Sequence, residues 1–253
     1  MTKNPQPLTA TIDKYRSLHL WMIIPLVIMQ LGIFMDYWGD FSDNAWSVHI
    51  HYWAGTLWYV YLIIQPYYAT HGQLNKHRTN GIVGIMLAGG VAFTALSMMN
   101  RDIVNAHRAA EFVDRFGPFK PWFFFGVTFV EIVMMVAFIY AIIQSIIHRK
   151  SLVNHSWWLT SSVFIIMMPA LGRGLQFAWF MVMGFTPETN IMLPLYITVF
   201  IIITLTVLTA MNYGRIRHPA TYLAIAVNLV NCLVEPVGKS ESIQRFFESM
   251  IKG

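Results

Sequence analysis

The chain has 253 residues, of which 56% are hydrophobic and 11% charged, and its mean hydropathy is +0.52. Soluble domains carry about 25% charged residues, so this composition excludes an ordinary soluble fold, and the net charge of +5 does not describe a nucleic-acid surface. A single cysteine, Cys232, excludes an internal disulfide and a cysteine-based metal or iron–sulfur centre.

Residues 1–17 are polar and close on a basic cluster, Lys14 and Arg16. Such a stretch does not read as a cleavable signal peptide, so the first apolar run is expected to stay as an anchor. Crossing the hydrocarbon layer takes about 20 apolar residues. Seven segments approach that length: Leu18–Met35, His51–Tyr68, Gly81–Met99, Trp122–Ile147, Trp157–Gly184, Met192–Tyr213 and Ala220–Val234. All should be helices, because an open strand in lipid leaves backbone groups unpaired. The fold class is therefore an all-α polytopic membrane bundle over residues 18–236.

Loop charge orients the bundle. The tail and the loops carrying Lys76/Arg78, Arg149/Lys150 and Arg215/Arg217 hold nine basic residues and one acid, Asp13. The remaining loops hold eight basic residues against ten acids. The positive-inside rule then places the N-terminus in the cytoplasm and, with seven spans, the C-terminus outside, in a cell's inner membrane. Trp21, Trp38, Trp46, Trp122, Trp157 and Trp158 fall near span ends, as in an interfacial aromatic belt. Gly81, Gly84, Ala88, Gly89 and Gly90 suit close helix packing on the third span.

Two further helices are expected at the interfaces. Ile103, Ala106, Ala110 and Val113 share one face of residues 102–115, which end at Gly117-Pro118. Within residues 237–253, Ile243, Phe246, Phe247, Met250 and Ile251 follow helical spacing, as an interfacial helix or a docking surface for another subunit.

Nine histidines sit near span ends. His77 and His155 each open a span among basic residues. Two imidazoles at one depth could ligate a haem iron from both faces, with Arg78, Lys76, Arg149 and Lys150 for the propionates. The plain alternative is positive-inside loops that happen to contain histidine. On the outer side, His51 with His107 would form a second haem site, with Arg101, Arg108 or Arg173 for propionates. The rival there is copper or non-haem iron held by His49, His51, His107 and Asp102 or Glu111, since imidazole with carboxylate suits those ions. Glu131 is the acid deepest in a span, so proton relay, quinone contact and interhelical hydrogen bonding are all open to it. Arg173 either snorkels or holds an anionic group.

His51, His77-Arg78-Thr79-Asn80-Gly81, His155, Trp158 and Arg173, spread over residues ~49–175, carry a resemblance. The pattern resembles a group of uncharacterised multi-span bacterial membrane proteins and, more loosely, the b561-type membrane cytochromes. The latter likeness implies haem b held by histidines on adjacent helices; here the histidines lie at span ends rather than a turn or two inside. The leading expectation is an electron-transfer subunit in the lipid bilayer that binds one or two b-type haems and exchanges electrons with quinone. The alternative is a cofactor-free structural or accessory subunit, joined to other membrane subunits or to copies of itself.

Overall fold

The computed structural model describes residues 8–251, and among them every regular element is a helix. The chain starts with α1 (Leu8–Tyr15), α2 (Leu18–Trp21) and α3 (Ile23–Gly32), then a π turn at Phe34–Trp38 and a short 3₁₀ turn at Phe41–Asp43. Next come α4 (Trp46–Thr70), α5 (Leu74–Glu111), α6 (Val113–Phe116) and α7 (Pro121–Ile147). They are followed by α8 (Leu152–Ile165), α9 (Met168–Met183), α10 (Met192–Asn212) and α11 (Pro219–Val230). A 3₁₀ turn leads into α12 (Val234–Gly238), and α13 (Glu241–Ile251) closes the described chain.

Among the described residues, five helical stretches are long and apolar enough to cross a membrane: Leu74–Glu111, Pro121–Ile147, Leu152–Met183, Met192–Asn212 and Pro219–Gly238. Two other expected spans differ from these in kind. The first is broken at Met22, between α2 and α3. The second, α4, has 25 residues, but its histidines, tyrosines and tryptophans lower its hydropathy. Those rings pack inward: Trp58 and Tyr59 are buried, and Trp58 meets Phe138 of α7 edge to face at 5.5 Å.

α7 is the centre of the bundle, touching α5, α8, α11 and α12, with Phe138 and Ala141 fully buried. Lipid removes the hydrophobic drive between helices, so close backbone approach has to supply attraction. Gly126 of α7 lies against the Val234 carbonyl, and Gly238 of α12 against the Trp122 carbonyl. Gly32 of α3 meets α9 at Ala170 and Gly174. The expected small-residue seam on α5 is only partly used. Gly84 accommodates Tyr61, whereas Gly81, Gly89 and Gly90 face open space.

Three further expectations are corrected. Residues 102–115 do not form a separate interfacial helix, because α5 runs unbroken from Leu74 to Glu111. At 1.5 Å per residue it is about 57 Å long, far beyond the ~30 Å hydrocarbon layer, so its last turns continue the span outward. The chain turns back at Gly117, whose φ of +54° favours glycine. Trp157 and Trp158 do not belong to an interfacial belt; both are buried, and the Trp157 indole N–H donates to Thr221 Oγ1 at 2.8 Å. The apolar residues of α13 split between two faces. Phe247 is buried with Ile103, Ala106 and Phe125, while Phe246 and Met250 remain exposed.

The expected fifth span is two helices. Pro169 has no N–H and its ring clashes with a carbonyl four residues back, so α8 stops at Ile165 and α9 begins at Met168. Carbonyls before the break find partners on other helices. Val163 O accepts from the Tyr59 hydroxyl at 3.1 Å, and Phe164 O from the Asn228 amide at 3.0 Å.

The Gly126 crossing gives a direct test. Gly126→Ala should destabilise the protein by about 1–3 kcal/mol, because the added methyl overlaps backbone. Gly89→Ala should be neutral or stabilising by up to about 1 kcal/mol. Thermal unfolding in detergent reads both, and equal effects would refute the crossing.

Candidate functional site

Two polar constellations sit at opposite ends of the bundle. Helix directions collect the basic segments at one end, as contacts between distant residues show. Arg215 Nε donates to the Tyr15 hydroxyl at 2.9 Å, and His19 and His71 rings lie 5.4 Å apart. There too His77 and His155 face each other with ring centroids 6.1 Å apart. At the other end lie Asp36, Arg173 and the last turns of α5.

The second constellation is built by the break before α9. Arg173 sits one turn past Pro169, and its Nη1 donates to Asp36 Oδ2 at 3.1 Å and to Tyr52 Oη at 2.8 Å. The Tyr52 hydroxyl in turn donates to the same Asp36 oxygen. Asp36 is placed by the π turn, a type of distortion that recurs at functional sites. Tyr52 stacks on Tyr37 at 4.4 Å, and Tyr37 Oη pairs with His49 Nδ1 at 2.9 Å. Burial pushes the Asp36 carboxyl up, but Arg173 and the hydrogen bonds from Tyr52 and Arg173 outweigh it and hold it below the usual carboxylate range.

Beside this pair opens a cavity of about 640 Å³. Its polar side carries Asp102, Glu131, Arg173 and Gln176, from α5, α7 and α9, and its walls include Phe119, Phe123, Phe180 and Phe185. Asp102 and Glu131 line this cavity together with Arg101 and Arg173. Glu131 and Arg173 also line a smaller cavity of about 90 Å³ whose far wall holds His51, Tyr52 and Tyr59. Sequence reasoning found Glu131 and Arg173 but missed Asp36 and Tyr52 and gave Asp102 a different setting. Asp102 belongs to the buried face of α5, together with Ile103 and Ala106.

His51 and His107 are not brought together. His51 is half-buried with Nδ1 against Thr94 Oγ1 at 3.2 Å. His107 lies thirteen residues beyond Thr94 on the same unbroken helix, about 20 Å along the axis. One iron cannot span that gap. His107 is exposed at the edge of Phe125, and no group of three or more His, Cys, Asp or Glu among the described residues is placed to hold a metal. Copper or non-haem iron on His49, His51 and His107 is therefore unsupported.

His77 and His155 are brought together. His155 donates Nδ1–H to the Ser145 carbonyl at 2.8 Å, leaving Nε2 free. His77 Nδ1 is buried without a partner. Arg78 and Arg149 are both exposed. His218 has a structural task, capping α11 by accepting from Ala220 N at 3.1 Å.

Comparisons of the chain with protein-family models, curated proteins and solved structures return no match. The class rests on the fold: a multi-pass helical membrane protein with a carboxyl–arginine cavity near one end.

The Asp36–Arg173 pair has a pH signature. A carboxyl depressed in the folded state contributes stability above its unfolded value, near pH 3.9, and loses it as pH falls through the folded value. Wild type should therefore lose more thermal stability than Asp36→Asn on acidification below about pH 4. With Asp36 46% exposed, the difference should not exceed about 1 kcal/mol. Identical acid profiles would show that the pair contributes nothing.

Proposed function

We propose that this is a seven-span inner-membrane protein that takes the polar head of a quinone-class amphiphile into the 640 Å³ cavity and hydrogen-bonds it there. The observation that carries the reading is the convergence of Asp102, Glu131 and Arg173 on one aromatic-walled cavity. Ligand sites are typically apolar with a few converging polar groups. Phenylalanine faces suit a flat ring, and an isoprenoid tail would continue into lipid. The N–H donors of Arg173 suit carbonyl oxygens, and Asp36 with Tyr52 holds the guanidinium in place. Glu131 and Asp102 lie in the same cavity, and a proton held on one of them would donate a hydrogen bond to the head without leaving two bare charges inside the bundle.

The seven-span reading adds α2–α3 and α4 to the five long apolar stretches, with the basic end in the cytoplasm. A reporter active only in the cytoplasm should then work in the Tyr213–Pro219 loop and fail at Gly253. The reverse pattern would overturn the topology. A second reading, an accessory subunit, draws on one feature: Phe246 and Met250 of α13 stay exposed while Phe247 anchors the helix.

Binding is tested in nanodiscs with a short-tailed quinone by tryptophan quenching. Wild type should bind one molecule. Glu131→Gln, which preserves shape and hydrogen bonding, should keep the melting temperature and the binding. Arg173→Gln should weaken binding by about tenfold, the cost of one charged hydrogen bond. Absence of saturable binding by wild type would sink the reading.

A further inference from the structure

At the basic end, three helices bring unpartnered polar groups together. Gln65 of α4 is 2% exposed, yet neither its amide oxygen nor its nitrogen has a hydrogen-bond partner. His77 of α5 has a buried, unpaired Nδ1. His155 of α8 presents Nε2, because its Nδ1–H is taken by the Ser145 carbonyl at 2.8 Å. Buried polar atoms are almost always paired, so a cluster of orphans calls for an occupant.

We propose that His77 Nδ1, His155 Nε2 and the Gln65 side-chain oxygen bind a divalent first-row transition metal ion, copper most tightly, with water completing its coordination. Three observations support this. Metal-binding histidines as a rule hand their other ring N–H to a carbonyl or carboxylate, which fixes the tautomer and aims the free nitrogen. His155 does so here, to the Ser145 carbonyl. With metal–nitrogen bonds of about 2.0–2.1 Å, the centroids of two imidazoles on one ion fall roughly 5 to 6.5 Å apart. These stand at 6.1 Å. The donor set also selects the ion. It is neutral and rich in nitrogen, with exposed Lys76, Arg78, Arg149 and Lys150 nearby in the chain. Magnesium and calcium want carboxylate oxygens, whereas imidazole suits copper, nickel and zinc, with copper at the top of the affinity order.

This site is independent of the cavity. Along α5, His77 and Asp102 are twenty-five residues apart, about 37 Å.

The full chain, purified in detergent and stripped with chelator, is titrated with Cu²⁺ and then Zn²⁺ by calorimetry, and the copper form is read by electron paramagnetic resonance. One ion per chain is expected, with nitrogen couplings from two imidazoles. His77→Ala and His155→Ala should each weaken binding at least about tenfold. His71→Ala and His148→Ala should not. Gln65→Glu should tighten binding by adding a carboxylate, a gain that misfolding cannot produce. The proposal is overturned if wild type binds no stoichiometric ion, or if affinity is unchanged in His77→Ala and His155→Ala. Transfer of the effect to His71→Ala overturns it too, as does haem uptake with a bis-histidine spectrum that depends on His77 and His155. Quinone binding by His77→Ala is measured in parallel, which separates failure here from failure of the cavity reading.

Discussion

Inside lipid no water is present to accept a hydrogen bond, so a helix that stops within a bundle must hand its carbonyls to other side chains. The stop between α8 and α9, enforced by Pro169, therefore constrains much of the rest. Tyr59 from α4 and Asn228 from α11 cover the Val163 and Phe164 carbonyls, which ties two distant helices to the break. Asn228 is fully buried, and its amide also donates to Ala224 O at 2.8 Å. With the break held, α9 leaves at its own angle, packs on Gly32 of α3 and carries Arg173 into the space between α3, α4 and α7.

An arginine delivered there needs an acid, and the π turn supplies one. Asp36 accepts from both Arg173 and Tyr52, and Tyr52 is itself supported by stacking on Tyr37. The second acid group is of another kind. Asp102 on α5 and Glu131 on α7 line one cavity with Arg173. The cavity thus combines a fixed donor with two carboxyls, and aromatic walls enclose them.

The two ends of the molecule have different chemistry because loop charge and burial act differently at each. At the basic end Lys76, Arg78, Arg149 and Lys150 are exposed, while Gln65 is buried and His77 and His155 are half-buried. At the other end Arg173 pairs with Asp36, and Asp102 and Glu131 line the cavity. About 37 Å of α5 separates the two sites, too far for a ligand at one end to touch the other.

The sequence by itself determined a helical membrane protein, because composition and run length leave no other way to satisfy the backbone in lipid. It also singled out Glu131 and Arg173, since charge within apolar runs is costly and stands out. That His77 and His155 would be neighbours followed from two short loops. Only the tertiary structure decided what these residues meet. Asp36 and Tyr52 look like ordinary loop and belt residues until the break before α9 turns Arg173 toward them. The His51–His107 pairing failed because amphipathic spacing cannot tell a surface helix from the continuation of a span, and α5 runs straight through. Which ring nitrogen of each histidine is free was likewise not in the sequence. For His155 it depends on the Ser145 carbonyl, whose position exists only once α7 and α8 have packed.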